Sequence, residues 1–143
     1  MKRLFLSLLA ILAGCGAPTV KSVPVSGKLV KDGKALTFGA QKLPPGESGF
    51  RLEFLKLDDN GKEGLMFSGQ FNSNDGSFSV KSAEGNGLPP GKYKVIVEKG
   101  ARGLPDEFKN QFSREKTALA LTVTDSKELQ VEIDLDKKAV TAR

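Results

Sequence analysis

Leu88-Pro89-Pro90-Gly91-Lys92-Tyr93-Lys94-Val95-Ile96-Val97-Glu98 carries the reading of the fold in miniature. Pro90 presets φ and Gly91 admits a positive one, so the pair marks a turn. After it, Tyr93, Val95 and Val97 share one parity, while Lys92, Lys94 and Glu98 take the other. A period of two is the signature of a strand with one buried face. Tyr93 then points inward, where its hydroxyl needs a partner or a wet edge.

The same alternation recurs in both directions along the chain. Val23, Val25 and Leu29 alternate with Ser26 and Lys28, and Phe50, Leu52 and Phe54 with Arg51 and Glu53. Leu65, Phe67 and Phe71 oppose Ser68 and Gln70, and Phe78 and Val80 sit among Ser77, Ser79 and Lys81. Leu119, Leu121 and Val123 face away from Ala120, Thr122 and Thr124. The last run sets Leu129, Val131, Ile133 and Leu135 against Gln130, Glu132 and Asp134. Turn residues separate these runs at Asp32-Gly33, Asp59-Asn60-Gly61 and Asn74-Asp75-Gly76. Seven short alternating strands with such punctuation predict an all-β, antiparallel sandwich. It is expected over residues 23–137, with 138–143 as a C-terminal tail. Leu-Pro-Pro-Gly occurs at 43–46 and again at 88–91, in flanks too different to be a repeat unit.

One segment breaks the rhythm. Between Gly100 and Lys116, Leu104, Phe108 and Phe112 recur every four residues, behind Pro105, Asp106 and Glu107. Proline at the first helical position and acids near the positive end of the dipole predict a short helix or helical turn there. Its apolar face would cap an open end of the sandwich. A connection of this length also suits a binding loop, with Arg102, Lys109 and Arg114 as its charges.

The N-terminus has a different character. Lys2 and Arg3 form a basic start, Leu4 to Leu12 an apolar stretch, and Ala13-Gly14 lead to Cys15. Nine residues are too few to cross a bilayer, which takes roughly 20, but they match the apolar core of a secretory signal. The ending resembles the bacterial lipobox, whose cysteine receives a diacylglyceryl group and becomes the new N-terminus. Residues 1–14 are therefore expected to be a lipoprotein signal peptide, and 15–22 the lipidated Cys15 and its tether. Cys15 is the only cysteine, so no other thiol remains for a disulfide, a metal or catalysis. Lys2 and Arg3 are two of the 22 basic residues, and the rest are interspersed with 17 acids. That is an ordinary solvated surface, and no nucleic-acid partner is expected.

Several stretches together resemble short bacterial lipoproteins of the planctomycete type that carry a carboxypeptidase-regulatory-like or transthyretin-like domain. These are Val25-Ser26-Gly27-Lys28-Leu29 with Asp32-Gly33-Lys34-Ala35-Leu36, Asn74-Asp75-Gly76-Ser77-Phe78-Ser79-Val80, and Leu88-Pro89-Pro90-Gly91-Lys92-Tyr93-Lys94-Val95. Leu104-Pro105-Asp106-Glu107-Phe108 followed by Thr117-Ala118-Leu119 completes the set. The resemblance covers residues 23–136 and implies a seven-stranded Greek-key β-sandwich of the prealbumin type. The connection Thr37 to Gly49 is longer than usual for that pattern. Peptidases bearing this accessory domain hold catalytic zinc through histidines, and this chain has none. Transthyretin-like hydrolases lean on histidine and an Arg-Gly-Ser ending, whereas this chain ends Val140-Thr141-Ala142-Arg143.

Other chemistry is equally sparse. Asp58 and Asp59 precede Asn60-Gly61, so turn formation accounts for them. A calcium loop needs an acid or amide five residues before its glycine, and those positions hold Lys56 and Phe71. No catalytic residue, metal ligand or cofactor is expected, and the chain reads as a non-enzyme. The expectation is a membrane-anchored lipoprotein of the cell envelope, its domain a binding or structural module. It would be held in the lipid bilayer through acylated Cys15, at the outer membrane or the periplasmic face of the inner membrane. An envelope protein or glycan is its conceivable partner. One alternative is a carbohydrate- or peptide-binding domain with a defined ligand. Another is a self-crosslinked adhesin-type stalk, which joins a lysine to an Asn or Asp beside a buried acid. Lys28, Glu53 and Asp134 lie on suitable strands, but parity points all three outward.

Overall fold

The computed structural model describes residues 21–39, 49–82, 85–100 and 104–143, which form an all-β structure without helices. The strands are β1 (Val25–Lys31), β2 (Lys34–Ala35), β3 (Phe50–Leu57), β4 (Glu63–Phe71) and β5 (Ser77–Ser82). They continue with β6 (Gly85–Asn86), β7 (Gly91–Lys99), β8 (Ala120–Val123), β9 (Leu129–Asp134) and β10 (Ala139–Ala142). Hydrogen bonds link them in the order β10-β9-β1-β5-β4-β3-β7-β8, with β2 beside β1 and β6 beside β5. The sheet curls until its outer strands β8 and β10 approach one another, giving a near-barrel around one core. Leu29, Phe54, Leu88, Val95, Val97 and Ile133 are among its fully buried side chains.

Each of the seven alternating runs lies on a strand, yet the assembly departs from an antiparallel sandwich. β1 and β9 run parallel, Val25 beside Leu129 through Val30 beside Asp134, so the sheet is mixed. The alternation has the same period whichever way the neighbouring strand runs, and direction is therefore invisible in it. The segment expected to be a tail supplies β10, which pairs with β9 from Ala139↔Asp134 to Ala142↔Val131. With β2 and β6 as further short strands, the described residues hold ten strands where seven were expected.

Two side-chain expectations also change. Between the pairs Leu57↔Glu63 and Leu55↔Met66, β4 has one residue more than β3, and this bulge resets its parity. Leu65, read as inward, is 70% exposed, whereas Phe67 beyond the bulge is buried. Residues 104–116 form successive turns, the shorter of the two expected forms, and no continuous helix. The Asp106 carboxylate accepts the Lys99 amide at 2.6 Å and the Asn110 amide at 2.8 Å. Such side-chain acceptors compete with helical hydrogen bonding, and Lys109 and Asn110 turn left-handed at φ 54° and 57°. Phe112 is nonetheless buried and Phe108 packs edge-on against it at 5.8 Å, while Leu104 faces solvent.

Strand directions give the molecule two distinct ends. Val23 bridges Leu88 at the end where β1, β7 and β9 begin. The opposite end gathers the Asp32-Gly33 turn, Phe38, the Asn72–Gly76 turn, the 104–116 connection and the turn before β10. Lys99 ties this end together: its ammonium meets Glu107 at 2.7 Å and lies 4.7 Å from the centre of the Phe38 ring.

Candidate functional site

Cα partners across a sheet project to the same side. The registers Gln70↔Ser79, Ser79↔Ser26 and Ser26↔Gln130 therefore align one outward row across β4, β5, β1 and β9. A second row places Ser77 beside Lys28 and Lys28 beside Glu132. The serines are short and the flanking amides long, which leaves a trough of about 580 Å³. Ser26, Gly27, Ser77 and Ser79 form its floor, and Gln70, Asn72, Lys28 and Gln130 stand around it.

Its floor is held by the backbone. A Cβ on Gly27 would lie 1.7 Å from the Val131 carbonyl oxygen, so only glycine lets β1 and β9 approach this closely. Gln130 Nε2 donates to Ser26 Oγ at 3.0 Å, leaving the Ser26 hydroxyl hydrogen free to turn outward. Ser77 Oγ donates to Asp75 Oδ1 at 2.6 Å, and this bond lowers the Asp75 pKa, with the Lys28 charge assisting. The Gln70 amide and Ser79 hydroxyl have no hydrogen-bond partner among the described residues. At the rim, Phe71 belongs to a half-buried aromatic cluster, 4.2 Å from Phe50 and 5.5 Å from Phe38 between ring centres.

The outer face of β3 and β7 is built differently. Leu55 and Ile96 point away from the main core yet are 1% and 2% exposed. An ion-pair network spans this face: Glu63 accepts from Arg114 Nε at 2.7 Å and from Lys94 Nζ at 3.1 Å. The Arg114 hydrogen bond, followed by that of Lys94, lowers the Glu63 pKa. Burial raises that of Glu53, partly offset by Arg51. Beneath this flank Tyr93 is buried and donates its hydroxyl to the Pro89 carbonyl at 2.5 Å, the partner its inward position requires. Burial pushes its pKa up to about 12.

A smaller cavity of about 300 Å³ lies at the end opposite Val23, above Phe108, Phe112 and Leu135 and rimmed by Lys109 and Lys138. Asp58 accepts the amides of Asn60 at 2.9 Å and Lys62 at 2.7 Å, as a turn residue does. Among the described residues no hydrogen bond or ion pair joins Lys28 to Glu53 or Asp134, and Asp134 instead meets Lys137 at 2.9 Å. No three potential metal-ligating side chains come together among the described residues. Residues 1–14, Cys15, the Leu-Pro-Pro-Gly at 43–46 and Arg102 lie outside the described residues.

Sequence reading placed Ser26, Ser79, Gln70 and Gln130 on the outward parity but had no means of joining them. Their signal was the choice of short hydroxyls and neutral amides where the β3 and β7 runs carry charges. Comparison with protein-family models, curated proteins and solved structures finds no match to this chain.

Proposed function

We propose that this chain is a lipid-anchored, non-catalytic protein of the cell envelope whose transthyretin-like β-domain serves as a binding or structural module. The observation that carries this reading is the run Lys2-Arg3, Leu4–Leu12, Ala13-Gly14-Cys15, with the thiol directly after an apolar stretch too short to span a bilayer. One acyl chain holds a protein only marginally, and stable anchoring takes two signals. A diacylglyceryl group on Cys15 meets that requirement. Gly16 in place of aspartate after the cysteine favours the outer membrane over the periplasmic face of the inner membrane. The lack of histidine and of any second cysteine supports the non-catalytic part. The trough favours a ligand-binding module over a purely structural one, since unused polar groups converge there.

The test is to express the chain with and without Cys15→Ser and follow labelled palmitate and detergent-phase partitioning. The wild type is expected to carry label and enter the detergent phase, and Cys15→Ser to do neither. Partitioning that survives the substitution would overturn the anchor.

A further inference from the structure

We propose that the trough across β4, β5, β1 and β9 binds an uncharged oligosaccharide, an inference that deepens the binding-module reading and rests on it. Three features of the trough converge on that ligand. The first is shape: about 580 Å³ falls within the range of small-ligand sites, and four adjacent strands give a channel about 14 Å across. A short glycan laid across the strands fits such a channel.

Hydrogen-bonding capacity is the second. Gln70 and Ser79 both donate and accept and have no partner among the described residues, while the Ser26 hydroxyl is oriented by Gln130. Sugar hydroxyls also donate and accept, so each can meet a group of either kind. A hydrophobic ligand would leave these groups unpaired, and losing hydrogen bonds to water without replacement is costly.

The third feature is charge. Among the described residues Lys28 is the only charged side chain lining the trough, and it stands beside Glu132 in register, with the Asp75 carboxylate also near enough to feel its charge. The two acids offset that single cation, which argues against an anionic polymer. Because Gln70, Ser79, Ser26, Lys28 and Gln130 stand within paired strands, little ordering entropy is lost when a ligand settles on them.

The experiment uses the full chain carrying Cys15→Ser, titrated by calorimetry with chitotetraose, maltotetraose and cellotetraose, and with polyglutamate as the charged control. At least one tetrasaccharide is expected to bind, with an affinity that changes little between low and high salt. Gln70→Ala should weaken it about tenfold and Ser79→Trp, which fills the floor, should abolish it, both with an unchanged denaturation midpoint. If Ser79→Trp fails to fold, Gln70→Ala paired with Gln130→Ala decides the matter in the same way. Absence of binding by all three sugars, or binding that survives the substitutions, overturns the proposal. Salt-sensitive binding of polyglutamate alone overturns it too, while leaving a binding module of another kind. Failure of the lipid anchor shows separately, in palmitate labelling, and does not alter these titrations.

Discussion

The outer surface of this near-barrel has two flanks made from the same sheet, and they are finished in opposite ways. Over β3 and β7 the outward positions include Leu55 and Ile96, almost fully buried, with Arg114, Glu63 and Lys94 linked across that face. Over β5, β1 and β9 they include Ser77, Ser79, Ser26 and Gln130, with a trough between them. One flank spends its outward side chains on burial and ion pairing, and the other leaves its polar groups available. The contrast teaches that outward parity in a curled sheet has two uses, and the residue types at those positions tell them apart.

The largest expected effect separates the flanks by truncation. Leu55→Ala and Ile96→Ala should each cost about 2–5 kcal/mol, as for other buried aliphatic side chains. Ser79→Ala on the other flank should stay within about 0.5 kcal/mol. Denaturant melts of the three variants measure this, and similar costs for all would dissolve the distinction.

A smaller but still substantial loss is expected where the trough meets the parallel seam. Gly27→Ala places a Cβ against the Val131 carbonyl, and overpacking of this kind costs about 1–3 kcal/mol. Hydrogen exchange should show the β1–β9 amides opening first in this variant. Protection lost uniformly over the whole domain would argue against a local seam.

The smallest effect concerns the ionic cover of the β3–β7 flank. The Glu63 pKa lies below its ordinary 4.5 because Arg114 and Lys94 stabilise the carboxylate. A depressed folded-state pKa contributes stability above the unfolded value, lost as pH falls through the folded one. Acid titration of the wild type should therefore show a stability loss below about pH 4.5 that Glu63→Gln flattens. Exposed ion pairs contribute little and are screened by salt. The difference between the two proteins should shrink at high ionic strength, and a difference insensitive to salt would mean that the network is not what holds this flank closed.

Much of this was legible in the chain itself. The seven alternating runs, their inward residues from Val25 to Leu135 and the glycine turns follow from local rules: side chains alternate along a strand, and Gly33, Gly61 and Gly76 all take positive φ. The inward hydroxyl of Tyr93 announced its need for an acceptor, and Pro89 provides it. A continuous helix after Pro105 was lost to Asp106, whose carboxylate captures the Lys99 and Asn110 amides. Lys99 lies on another strand, and its approach is a tertiary event.

Sequence alone determined seven of the extended segments, the apolar face of most of them, and that no histidine and only Cys15 among thiols exist for chemistry. These are properties of single residues and their nearest neighbours. Only the tertiary structure decided that β9 lies parallel to β1, that residues 139–142 form an edge strand, and that the β4 bulge expels Leu65. It alone brought Gln70, Ser79, Ser26 and Gln130 into one row. Strand pairing is set by the global closure of the sheet around its core, and residues 60 positions apart meet only once that closure is complete.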